Sequence, residues 1–144
     1  MKIYLGADHR GFELKEKIKN WLSEWEYEFD DCGALSYDKN DDYPDFSKVV
    51  AKKVLESIDS RGILICGSGV GMSIAANRFK DIRAGLGINP DQIRDSVNDE
   101  DTNILTISAD YTPENDVKEI VKSFLSTKFS GAERHIRRIN KLDV

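Results

Sequence analysis

The 144 residues are 40% hydrophobic and 33% charged, with a formal net charge of −5, which describes one soluble globular domain with length enough for a real core. The acidic balance argues against a nucleic-acid partner, and no apolar run approaches the roughly 20 residues needed to cross a bilayer. The opening residues turn polar at once and lack the apolar stretch of a signal peptide, and the two cysteines, Cys32 and Cys66, have no metal-like or redox-pair spacing; a cytoplasmic protein with reduced thiols is expected.

Taken in chain order, Lys2–Ala7 is a short apolar run bounded by "DHRG" and predicts a strand. Leu14, Ile18, Trp21, Leu22 and Trp25 recur at helical spacing. "YEFDDCG" predicts a second strand ending at a glycine, and "ALSYDKNDDYP" a polar loop. Asp42 or Tyr43 then opens a helix, with Pro44 in its first turn and Phe46, Val49, Val50 and Val54 as its apolar stripe. Arg61–Cys66 is a third strand, followed by a glycine segment that opens a helix through about Asn77. "IRAGLGI" predicts a fourth strand, Pro90–Val97 a short helix and "NILTISA" a fifth strand. Val117, Ile120, Val121, Phe124 and Leu125 stripe a longer helix, and a basic helix at about 132–142 closes the chain. Alternating strands and helices predict a parallel sheet with helices on both faces. In such sheets a ligand lies beyond the carboxyl ends of the strands, where strand order reverses. "ADHRG" and "CGSGVG" occupy two such ends, and no linker or repeat divides residues 1–144 into further domains.

The stretch Ile63–Ala75, "ILICGSGVGMSIA", places a thiol at the end of a buried strand and three glycines in the five positions that follow. Glycine lets the backbone turn sharply, and the amides at the start of the next helix suit an anion. The segment is neither a Walker A loop, which needs a following Lys, nor G-x-G-x-x-G, whose third glycine would fall on Met72 or Ile74. Amides around a cysteine favour the thiolate, and the same amides can hold an oxyanion. That pairing suits removal of a proton beside a carbonyl. The residues alone leave open a cysteine that only packs.

"GADHRGFELK" at 6–15, "DYPDF" at 42–46, "GILICGSGVGMSIAANR" at 62–78 and "ERHIRRI" at 133–139, in this order, resemble the ribose-5-phosphate isomerase B family, which also contains allose- and galactose-6-phosphate isomerases. The resemblance covers nearly the whole chain. It implies a Rossmann-like three-layer α/β/α sandwich with a five-stranded parallel sheet. It also implies a homodimer, or a dimer of dimers, with sites at the subunit interface. The reaction implied is interconversion of an aldose phosphate and a ketose phosphate through an enediolate, with neither metal nor cofactor, and with no nucleic-acid or membrane partner.

Carried over by motif, Cys66 matches the base and Ser68 the hydroxyl that assists it. Gly67, Gly69, Val70 and Gly71 match the anion hole, Asp8 and His9 the pair that contacts sugar and phosphate, and Tyr43 an aromatic lining the pocket. Arg134 and Arg138 match phosphate-binding arginines lent by the partner subunit, and their four-residue spacing puts them on one helix face. Taken without the family, they read first as a solvated basic helix end. Two departures stand out. The ring-opening histidine and the asparagine after it are replaced by Asp99 and Glu100, and a phosphate-binding arginine by Asp110. The expectations are a pentose phosphate isomerase in which Asp99 is the acid/base or the ring opens in solution, an isomerase for another sugar, or a sugar-phosphate-binding relative without catalysis. Redox sensing by Cys66 is a weaker alternative, since no second cysteine lies near it in sequence.

Overall fold

The computed structural model describes residues 1–143. Five strands, β1 (Lys2–Ala7), β2 (Glu28–Asp31), β3 (Ser60–Cys66), β4 (Ala84–Leu86) and β5 (Ile104–Ser108), alternate with helices α1 (Phe12–Glu24), α2 (Tyr43–Leu55), α3 (Val70–Ala76), α4 (Pro90–Glu100) and α5 (Glu114–Ser126). A sixth helix, α6 (Glu133–Ile139), ends the fold. All strand pairs are parallel, in the order β2-β1-β3-β5-β4. Strand order reverses between β1 and β3, as expected, so their carboxyl ends flank the crevice.

The pleat divides the core in two. Ile3, Leu5, Ile63, Ile65, Leu105 and Ile107 face α1, α4 and α5, where Ile18, Leu22, Ile93, Val97, Val117 and Phe124 close the larger cluster. Tyr4, Leu64, Cys66 and Ile104 face the other way, against Val50, Ala51 and Val54 of α2 and Met72 and Ala76 of α3. The alternation therefore sends Cys66 to the face roofed by α2 and α3.

Several predicted boundaries move, among them the ends of β5 and of α6, which spans Glu133–Ile139 where about 132–142 is predicted. β2 is shorter than "YEFDDCG", although Cys32 still donates to Leu5 O at 2.7 Å and Ala7 to Gly33 O at 2.8 Å. β4 keeps three of the seven predicted residues. Helix α4 continues past Val97 to Glu100, although its last residues are polar, because the Arg83 guanidinium bonds the Glu100 and Asp101 carbonyls and Asp101 turns out at φ 50°. Asp99 and Glu100 thus belong to a helix end. Among the described residues no helix is long and apolar enough to cross a membrane.

Candidate active site

Cys66 ends β3 and is buried, and its Sγ accepts the Gly69 amide at 3.2 Å. Gly69 has φ +75°, and a side chain there would press on Leu86 and on the backbone of β5, so the turn needs glycine at this position. The exposed Ser68 hydroxyl accepts the Val70 amide at 3.2 Å, which closes the turn into α3. Gly67 is fixed from below, its carbonyl accepting Ser108 Oγ at 2.8 Å and the Asp110 amide at 3.0 Å. Tyr43, the first residue of α2, lays its ring against Gly71. Gly67, Ser68, Gly69, Val70 and Gly71 thus curl around one thiol, under one aromatic ring.

The end of β1 supplies the opposite wall. Asp8 is buried, and its carboxylate accepts the Arg10 and Gly11 amides at 3.0 and 3.2 Å. Burial pushes its pKa above the ordinary value, and those two amides pull the other way. His9 is bonded through both its amide and its ring to Asp41. The Arg10 guanidinium lies on Gly67 and pairs with Asp110. Sequence reading missed Arg10 and Asp41. The adjacency of Arg10 to Asp8 and His9 was a signal for the first; nothing local points to the second.

The remaining candidates do not join this group within one chain. Asp99 and Glu100 sit where α4 returns the chain to the start of β5, while Cys66 lies beside its far end, at Ser108. At about 3.3 Å per residue, five strand residues separate the two edges by roughly 16 Å. Helix α6 packs on α4 there, with buried His135 Nε2 3.4 Å from Asp99 and with Arg134 and Arg138 exposed. A cavity of about 620 Å³ also lies at this edge, lined by Arg61, Arg83, Asp101 and Lys128 among others and not by Cys66. Within one chain the thiol crevice therefore lacks Asp99, Glu100, Arg134 and Arg138.

Among the described residues, Asp8, His9 and Asp41 are the one cluster whose donor atoms all lie within 4.8 Å of one another, a spacing that a cation could use. There, however, His9 Nδ1 is already engaged by Asp41.

Comparison with known proteins matches residues 3–142 to the ribose/galactose isomerase family. A putative sugar phosphate isomerase of Bacillus subtilis is 38% identical over 99% of this chain and 95% of its own length. A ribose 5-phosphate isomerase structure from Thermotoga maritima superposes with a TM-score of 0.94 at 44% identity, covering 99% of this chain and 97% of that one. The Mycoplasma genitalium ribose-5-phosphate isomerase B, solved with bound ribulose-5-phosphate, gives 0.93 at 38% identity, covering 97% and 92%. With matches that span the whole chain and keep the Cys66 turn inside them, the chain belongs to the ribose/galactose isomerase family: it is an aldose–ketose isomerase.

Proposed function

We propose that the protein interconverts ribose 5-phosphate and ribulose 5-phosphate through a cis-enediolate, with Cys66 as the base. The observation that carries this reading is the Gly69 amide donating to Cys66 Sγ at 3.2 Å inside a glycine turn at the strand-order reversal. As the thiolate, Cys66 takes the proton from C2 and returns it to C1. Ser68 assists, and the amides of residues 67–71 receive the enediolate oxygens. Asp8 and His9 hold the sugar, and Tyr43 lines the pocket.

The site is completed by a second copy in a homodimer. Arg134 and Arg138 are exposed, remote from their own Cys66 and four residues apart on α6, an arrangement suited to clasping a phosphate across an interface. Asp99 and Glu100 travel with them. Exposed Val70 and Ile74, one turn apart on α3, offer apolar surface beside the thiol turn for that contact. Asp99 acts as base toward the anomeric hydroxyl and is a poor donor to the ring oxygen. The two free thiols suit a reducing compartment, the cytoplasm.

A second reading, an isomerase for a different sugar, is favoured by one feature: Asp110 holds Arg10 at the mouth of the turn. A coupled assay of the wild-type protein across ribose, allose and galactose phosphates tests both readings. Ribose 5-phosphate with the highest kcat/KM is the expected result. A hexose phosphate turned over faster establishes the second reading, and no turnover on any of them removes both.

A further inference from the structure

The loop between β2 and α2 does more than connect them. Asn40 donates its amide to Asp38 Oδ1 at 3.0 Å and Asp41 donates its own to Asp38 O at 3.1 Å, a tight turn that brings Asp41 back to a residue 32 positions earlier. Asp41 Oδ1 accepts the His9 amide at 2.9 Å and lies 2.7 Å from His9 Nδ1. The Asp41 side chain is 9% exposed, and its Oδ2 is buried with no hydrogen-bond partner. A buried acceptor without a donor costs stability, so holding the loop does not account for this carboxylate. Its one side-chain partner is the His9 ring.

A carboxylate only accepts hydrogen bonds, so the proton at this contact sits on Nδ1. The tautomer of an imidazole is set by the partner of its other nitrogen, and here that leaves Nε2 without the proton in the neutral ring. The ring is steadied on a second side by Tyr37, edge-on at 6.4 Å, and its side chain keeps 26% exposure.

We propose that Asp41 is a positioning residue of the substrate site: it holds His9 as the Nδ1–H form and reserves Nε2 for an oxygen of the bound sugar phosphate. The inference deepens the isomerase reading and rests on it for the identity of the ligand, but the tautomer itself is independent of any substrate. Nδ1 keeps its proton whether the ring is neutral or charged, so Nε2 accepts from a hydroxyl in the first state and donates to an anionic oxygen in the second.

The test is nitrogen-15 NMR of the His9 ring in the substrate-free protein at a pH where free imidazole is neutral, together with steady-state kinetics. In the wild type, Nδ1 carries the proton and Nε2 does not. In Asp41→Ala the proton moves to Nε2, and KM for the best sugar phosphate rises about tenfold, the effect of losing one ordered hydrogen bond, with kcat changing less. Asp41→Asn, which keeps an acceptor oxygen and covers the case of a disordered loop in the alanine variant, retains Nδ1–H and stays within about threefold of wild-type KM. An unprotonated Nδ1 in the wild type, or an Asp41→Ala protein with an unchanged tautomer or unchanged KM, overturns the proposal. If no sugar phosphate were turned over, the isomerase reading alone would fall, and the nitrogen signals would still decide the role of Asp41.

Discussion

In the proposed mechanism, Cys66 and Asp99 are the residues on which the chemistry turns. Cys66→Ala removes the proposed base but little packing, so the fold and substrate affinity should survive while turnover drops by about 10²–10⁴ or more. Isotope exchange at C2, measured beside the coupled assay, checks that proton transfer is the step lost; near wild-type turnover excludes the thiol as base. Asp99 raises a different question. A histidine exchanges protons near neutral pH, whereas an aspartate does so only in acid, so a carboxylate in this role takes the anomeric proton but has none for the ring oxygen. On the proposed reading, ring opening is the weak step. Asp99→His, with Glu100→Asn beside it, should raise turnover of the mostly cyclic aldose and leave single-turnover conversion of ribulose 5-phosphate nearly unchanged. Equal loss in both directions would show that Asp99 does another job and would favour a different substrate.

The element that shapes the β1 wall is the α1–β2 contact. Lys15 of α1 is fully buried, and its Nζ donates to Asp31 Oδ1 and to Ala34 O, each at 2.6 Å. Ala34 donates in turn to Ala7 O at 2.8 Å, one residue before Asp8. A helix, an edge strand and a site residue are thus tied through one ammonium group. Burial alone would raise the Asp31 pKa, but the Lys15 and Lys19 hydrogen bonds and the Gly33 amide outweigh it and hold the carboxyl below its ordinary 3.8. A carboxyl depressed in the folded state stabilises the fold above its unfolded value, and that stability is lost as pH falls through the folded value. Urea denaturation should therefore show stability falling from about pH 4 downward. Lys15→Met should cost about 3 kcal/mol at pH 7, because it leaves a half-buried carboxylate and the Ala34 carbonyl short of their shared donor, and should flatten that acid dependence. An unchanged acid slope would separate Asp31 from the effect.

At the scale of the whole molecule, the proposed site is split between opposite edges of one sheet. The thiol turn, Asp8, His9 and Tyr43 occupy the edge at the carboxyl ends of β1 and β3; Asp99, Glu100, Arg134 and Arg138 occupy the other. Two copies related by a two-fold axis bring unlike halves together twice. Mixing Cys66→Ala with Arg134→Ala/Arg138→Ala, each inactive alone, should restore activity up to about half of wild type per heterodimer, because one of its two sites is then intact. Light scattering at micromolar concentration provides the companion measurement. A fully active monomer would contradict the shared site.

The sequence by itself determined the alternation of strands and helices, the strand ends at Ala7 and Cys66 and the turn chemistry around the thiol, because period, glycine placement and strand termination are local properties. The pleat then carried Cys66 to the α2–α3 face with no further information. Only the tertiary structure decided the contacts that join distant positions: Asp41 to His9 across 32 residues, and Arg10 to Asp110 from the ends of β1 and β5, on either side of β3. No periodicity encodes such pairs; they form because the sheet order brings separate loops to one edge. The tertiary structure likewise put Asp99 on the far edge from Cys66, since a parallel crossover must end where the next strand begins, and α4 delivers its last turn there.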